Sequence, residues 1–434
     1  MTVQHDFKVD QTRRKNNEFA IVSILSVVVG SALILGVSPL PSAFGIMVCG
    51  LLVFINLLAH TKIPTPAFFV LLYLGMIVLS GFAFGGFDAF GQSSPVRWLT
   101  NEGRIFLYFW PFLFIIMFLP TATDRVGDRI ATLLRAMAVL AFVFSLIGAA
   151  TGLRTFGSHH AAGAFCAMLL IYHFHAWQTS KSRSSLIYLL LALLAMLATN
   201  SRTSLLATVL ALLLFLLLTG RITGLLRIVI LSVPAMLLMP ILFADQFARL
   251  AGVFDSNALD SLMRSYQLSL TYGGVELERA WDARNLVAGD GAKNIAIRGY
   301  LWGRAVNEAL LSPIFGTGFG RFNDLGRTFQ GVSYIYYPAI DATQPSASIL
   351  TAHNTFLHVF NEMGVLGLAS LFAILASLWR HIYKAPGDTL WKRVGLTNII
   401  CLCLIGMTQH SFGAPIYGIT LFLLVGVSYH LCRR

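Results

Sequence analysis

The stretch TAHNTFLHVFNEMGVLGL, Thr351 to Leu368, decides how this chain is read. Most of it is apolar enough to lie in lipid, yet it opens on His353 and Asn354 and carries Glu362 midway. An ionisable group in or beside a bilayer is costly unless paired or wet, so each one is a functional candidate from the start. Asn354 suits the cap of a helix. Leu357, Phe360 and Leu368 give the segment apolar faces, while Gly364 and Gly367 permit close helix packing. The expectation is a membrane helix with an imidazole at its mouth.

The rest of the chain supports that reading. Of its 434 residues 56% are hydrophobic and only 12% charged, whereas soluble domains carry about 25% charged residues. Apolar runs of about 20 residues, the length a hydrocarbon core requires, recur almost end to end. Spans are expected near 18–37, 40–59, 65–85, 104–120, 130–151, 160–178, 185–200, 203–219, 224–243, 352–379, 394–411 and 415–431. The fold class is therefore an all-α polytopic membrane protein with about twelve transmembrane helices. The segment DFKVDQTRRKNN before the first span has the charge of a signal peptide, but no cleavage pattern follows, and it reads as the flank of an uncleaved helix. TNSRTS, at 199–204, is a polar hinge between two apolar runs, with one long interrupted element as its alternative.

Charge sets the orientation. With the N-terminus cytoplasmic, seventeen Lys and Arg fall on inside segments and four (Arg97, Arg104, Arg154, Arg202) on short outside ones. Such asymmetry places both termini inside. The net charge of +12 thus reflects topology; no basic helix or aromatic-studded sheet pattern suggests nucleic acid. Cys49, Cys166, Cys401, Cys403 and Cys432 lie in or beside apolar runs and indicate neither a disulfide framework nor a zinc site.

One hydrophilic segment remains, about Ala244 to Leu350, with ten acidic and nine basic residues. Structureless connections of that length are uncommon. SLMRSYQLSLTY and IRGYLWGRAVNEALL read as amphipathic helices, so a mid-sized outer helical domain at 244–350 is expected between membrane regions 1–243 and 351–434. GTGFG, at 316–320, has the composition of a backbone phosphate cradle but lacks a strand–turn–helix context; a turn into the next element fits it better.

The residues now carry a resemblance. HNTFLHVFNEMGVLGL is similar to the signature of the O-antigen ligase and Wzy-type polymerase superfamily: His-Asn-x-x-Leu, a glutamate, then Gly-x-x-Gly. Arg298, Trp302, Pro313, Gly316 and Gly318 resemble its R-x-x-x-W…P-x-x-G-x-G block, and NSRTSLLA, on Arg202, resembles its S-R-[ST] element. RTFGSHHAAGAF is similar to a G-T-F-x-x-x-N segment, but His160 stands where asparagine is usual, and no role is carried over.

The resemblance implies an inner-membrane glycosyltransferase of the GT-C type with a periplasmic active site. The donor would be O-antigen glycan on undecaprenyl diphosphate and the acceptor the lipid A–core oligosaccharide, with membrane lipids as surroundings and inversion at the anomeric carbon. The residue chemistry fits. A diphosphate leaving group needs fixed positive charge, and arginine forks suit phosphate oxygens; Arg202 and Arg298 are the expected clamp, with Arg304 a third candidate. Six residues apart on a helix, Arg298 and Arg304 point to different faces. His353 is the expected general base for the acceptor hydroxyl. Glu362 reads as support for packing. No Asp-x-Asp occurs and Glu276–Glu278 is given no role, so neither metal nor cofactor is expected. Rival readings are a Wzy-type polymerase, a protein O-oligosaccharyltransferase, and, from another class, a lipid-linked glycan transporter.

Overall fold

The computed structural model describes residues 63–83, 104–118, 125–151, 159–199, 201–220, 256–272, 290–319, 322, 328–329, 332–333, 352–409 and 419–433. Within them the helices are α1 (Thr65–Ala83), α2 (Arg104–Phe118), α3 (Val126–Thr151), α4 (His159–Ser180), α5 (Arg183–Ala198), α6 (Arg202–Leu218), α7 (Ser256–Tyr272), α8 (Asp290–Leu311), α9 (Thr355–Tyr383), α10 (Leu390–Gly406) and α11 (Ile419–Leu431). Two-residue strands β1 (Thr328–Phe329) and β2 (Val332–Ser333) pair antiparallel. Nine of the twelve expected spans coincide with helices; those at 18–37, 40–59 and 224–243 lie outside the described residues.

Two helices, Val126–Gly148 and Thr355–Tyr383, are long and apolar enough to cross a membrane, and four shorter apolar ones lie at Thr65–Ser80, Arg183–Ala198, Arg202–Leu218 and Thr420–Leu431. In an 18-residue window within Val126–Gly148 only 33% of residues are buried. A soluble core helix of that apolarity would hide most of itself. Here Val139, Leu140, Val143, Leu146 and Ile147 face outward, as do Phe68, Leu72 and Leu79 of α1. Such outward apolar stripes suit a lipid solvent.

Within α1–α6 and within α9–α11, successive helices alternate in direction. The starts of α4 and α6 meet, because a Cβ on Gly163 would come within 2.4 Å of the Ser201 side chain. At the same end Thr355 Oγ1, opening α9, donates to the Gln409 carbonyl just past α10 (2.9 Å). Gly127 of α3 meets Leu431 of α11 at the other end, where His430 Nε2 bonds the Ile116 carbonyl of α2 (2.7 Å). The TNSRTS hinge is a true break: α5 ends at Ala198, Thr199 caps it, and α6 begins at Arg202.

Both amphipathic segments of the hydrophilic region are helical. α7 and α8 run in the same direction, with Leu262 against Gly299 and Leu270 bonded through its carbonyl to Asn307 Nδ2 (3.2 Å). A Cβ on Gly299 would lie 2.3 Å from the Leu262 carbonyl oxygen, so this approach requires glycine.

The element that opened the reading contains a break. α9 is interrupted at Gly364, whose φ is 63°. At such a break the carbonyls ending the first half and the N–H groups opening the second lose their helical partners. The chain following α8 supplies them. Thr317 and Gly318 N–H donate to the Asn361 and Glu362 carbonyls (2.8 and 3.0 Å), and Val365 and Leu366 N–H donate to the Pro313 and Ile314 carbonyls (2.8 and 3.3 Å). Non-helical backbone is tolerated at membrane depth only when protein satisfies it in this way. Nine residues beyond the helix start corresponds to about 14 Å, so the hydrophilic region dips well into the bundle.

Gly364 and Gly316 are both in the left-handed region, and each lacks room for a Cβ: Ile314 backbone stands 2.3 Å from one and Glu362 backbone 2.3 Å from the other. Left-handed strain of about 1–2 kcal/mol and loss of bonds worth about 1 kcal/mol each add up. Gly364→Ala is therefore expected to cost about 3–5 kcal/mol and to lower the unfolding temperature in detergent by several degrees. Gly75→Ala, with nothing within 4 Å of its Cβ, is the neutral control; equal stability of the two variants would contradict the splice.

Candidate active site

His353 sits just before α9, half-buried, with φ 49°. Asn354 follows as the cap expected from sequence, its Oδ1 accepting from Phe356 and Leu357 N–H (3.0 and 3.1 Å). A non-glycine residue in the left-handed region stores strain and persists only where its surroundings impose it. Those surroundings are visible. Ala352 N–H donates to His358 Nδ1 (3.4 Å), which leaves the ring proton on Nε2, directed at Glu362 Oε2 (3.3 Å). The other carboxylate oxygen, Oε1, accepts from Phe322 N–H (3.3 Å), and the Glu362 backbone carbonyl accepts from Ser80 Oγ (3.2 Å). Glu362 is 1% exposed. It holds the turn carrying His353, in keeping with the supporting role expected for it.

A second buried group stands beside it. Arg304 Nε donates to Glu308 Oε1 (2.6 Å) and its Nη2 to the Phe322 carbonyl (3.1 Å), with the guanidinium 4.7 Å from the Phe322 ring centre. Glu308 Oε2 accepts from Asn361 Nδ2 (2.9 Å), and Asn361 Oδ1 accepts from Thr317 Oγ1 (3.2 Å). Arg304 is 4% exposed, and its charge is matched by Glu308 four residues on. The structure thus places this third clamp candidate in the scaffold joining α8 to α9. The backbone at 316–319 is likewise committed: Thr317 and Gly318 N–H serve α9, Gly316 N–H bonds the Ser312 carbonyl, and Phe319 N–H bonds Ser80 Oγ (3.0 Å). The turn reading of that segment fits, and the phosphate-cradle reading does not.

Arg202 and Arg298 are placed differently. Arg298 lies on α8 in the row continued by Leu301 and Ala305, which pack with Phe322, Ala352 and Leu357 at the mouth of α9. That row places Arg298 about one helical turn from the cluster that includes Ala352, the residue before His353. Burial, and then the like charge of Arg202, hold the Arg298 pKa below its usual value. Two arginines 96 positions apart in sequence therefore share one electrostatic neighbourhood. Arg202 also opens α6, where the helix dipole is already positive, a location that favours anions over cations. Its height matches His353. Thr208 Oγ1 meets Cys401 Sγ (3.8 Å), so Arg202, about 9 Å along α6, is level with the end of α10, whose Gln409 carbonyl holds Thr355. Trp302, one turn after Arg298, has a buried Nε1–H with no hydrogen-bond partner among the described residues.

Sequence reasoning missed His358, Glu308, Asn361 and Ser80. Two of these left a signal, since Arg304–Glu308 and His358–Glu362 each have the i,i+4 spacing of a helical pair.

Fold and site together define an apolar-surfaced helical protein with two converging arginines and a strained histidine at one end. Residues 187–372, somewhat under half of the chain, match the O-antigen ligase (Wzy_C) family model. The family is membrane-associated, and its ligases and polymerases act on lipid-linked glycan. The matched segment contains Arg202, Arg298, Arg304 and His353. No curated protein matches the chain.

Proposed function

We infer that this protein is a metal-independent, inverting O-antigen ligase of the GT-C type in the bacterial inner membrane. It transfers glycan from undecaprenyl diphosphate to the lipid A–core oligosaccharide. The observation that carries this is the convergence of Arg202 and Arg298 at the same end of the bundle as His353. Two half-buried like charges repel, and a diphosphate relieves that repulsion with charge-assisted hydrogen bonds. As the glycosidic C–O bond breaks, its electrons pass to the diphosphate oxygen held by the arginines. His353 takes the proton of the acceptor hydroxyl as that oxygen bonds the anomeric carbon. Arg304, paired with Glu308, keeps α8 in place rather than joining the clamp.

Gathering of these groups at one end favours an enzyme over a transporter, whose polar groups concentrate at the bilayer midplane. The test is reconstitution in proteoliposomes with undecaprenyl-diphosphate glycan and one of three acceptors: rough lipopolysaccharide, additional donor, or a pilin-like protein. The ligase reading expects a new glycosidic bond with rough lipopolysaccharide alone. Extension of the donor would make the protein a polymerase, modification of the protein acceptor an oligosaccharyltransferase, and disappearance of donor across the bilayer without a new bond a transporter.

With regions 1–243 and 351–434 in the membrane and 244–350 outside, α7 is periplasmic and the α4–α5 turn cytoplasmic. In a cysteine-free background, Asp260→Cys is expected to react with a membrane-impermeant thiol reagent in intact spheroplasts. Ser184→Cys, also exposed, is expected to react only after lysis. The reverse pattern would invert the topology.

A further inference from the structure

At the end of the bundle opposite His353, a cavity of about 580 Å³ opens between the start of α1 and the ends of α9 and α11. Its wall on α9 follows one helical face: Ala373, Ala376 and Ser377, then Arg380 and Lys384. Phe69 of α1 continues the apolar part, and Arg433 beyond α11 adds a third cation at the mouth. Beneath the mouth His381 and Tyr429 stack with ring centres 3.8 Å apart. Among the described residues no carboxylate lines this cavity. Arg380 and Lys384 are an i,i+4 pair of like charge, an arrangement that opposes folding unless an anion answers it.

Lys and Arg near one membrane face usually belong to loops and reflect orientation alone. Here they come from two different helix ends and converge on one concavity whose polarity changes along its length. Small and apolar residues line about 10 Å of it before the cations begin. That gradient matches an amphiphile lying parallel to the helices. We propose that the cavity binds an anionic phospholipid, its headgroup against Arg380, Lys384 and Arg433 and its chain along Ala373 and Phe69. Basic pockets between membrane helices suit such headgroups. Because the site lies at the far end of α9 from His353, it is separate from the transfer chemistry.

The test uses the full-length protein in detergent micelles containing phosphatidylglycerol or phosphatidylcholine, with retained lipid counted by native mass spectrometry. The wild type is expected to keep phosphatidylglycerol in preference to phosphatidylcholine. Arg380→Gln/Lys384→Gln/Arg433→Gln is expected to lose that occupancy at least tenfold. Ala376→Trp, which fills the groove and leaves every charge in place, is expected to lose it as well and decides the matter if the triple variant does not fold. Equal retention of the two lipids by the wild type would overturn the proposal, as would undiminished phosphatidylglycerol on Ala376→Trp. Displacement of the lipid by inorganic phosphate at equal concentration would show that the cations take free phosphate, and would overturn the lipid reading. Lipid occupancy is measured independently of glycan transfer, so the two readings fail separately.

Discussion

His353→Ala leaves the protein folded and inserted, still able to bind donor, and slows glycan transfer by about 10²–10⁴-fold, the usual worth of a general base. Folding survives because the cap of α9 belongs to Asn354, and the Ala352–His358–Glu362 contacts use none of the His353 side chain. The left-handed φ of 49° supplies a second control. Glycine relaxes that conformation, so if backbone strain alone were being disturbed, His353→Gly would restore the rate that alanine loses. Loss of the imidazole predicts that both variants are slow. The wild-type pH profile is expected to fall on the acid side as the base becomes protonated, and neither variant is expected to show that limb. Transfer by His353→Ala at near the wild-type rate would reduce His353 to a boundary residue.

The second large effect falls on the arginines. Arg202→Ala and Arg298→Ala each remove a charge-assisted contact to the diphosphate, a loss of about 1.5–3 kcal/mol, or about ten- to a hundredfold. Lysine restores part of this loss, because it keeps the charge but cannot make the bidentate fork. Arg304 behaves otherwise. Arg304→Ala leaves Glu308, 5% exposed, without its ion partner, and breaking one side of a buried pair is destabilising by about 3–5 kcal/mol. Arg304→Ala is therefore read in stability and yield, whereas Arg202→Ala and Arg298→Ala are read in donor affinity.

The helices were legible because a lipid-facing helix is marked by a run, not a pattern. Leu210, Leu214, Leu217 and Leu218 on α6 are exposed, and their apolarity alone located the element. The Asn354 cap and the tight packing of Gly364 were legible from residue type. The reason for that packing was not. Gly364 meets Ile314 and Gly316, about fifty positions away in sequence, and nothing within either stretch says that one completes the other's backbone. For the same reason GTGFG remained open between a turn and a phosphate cradle until Asn361 and Glu362 appeared as its acceptors. Arg304 resembles the other two arginines in residue type alone. Glu308, four residues on, already offered it a partner.

The central claim is that Arg202 and Arg298, from separate segments, hold one anion beside His353. Donor affinity measured for the wild type, Arg202→Ala, Arg298→Ala and the double variant tests it most directly, with His353→Ala as a reference expected to bind like the wild type. If both arginines grip the same diphosphate, removing the second after the first costs a different amount, with a coupling of about 0.5–3 kcal/mol, the range for residues sharing a partner. Additive losses within about 0.5 kcal/mol, or wild-type affinity in both single variants, would contradict the account.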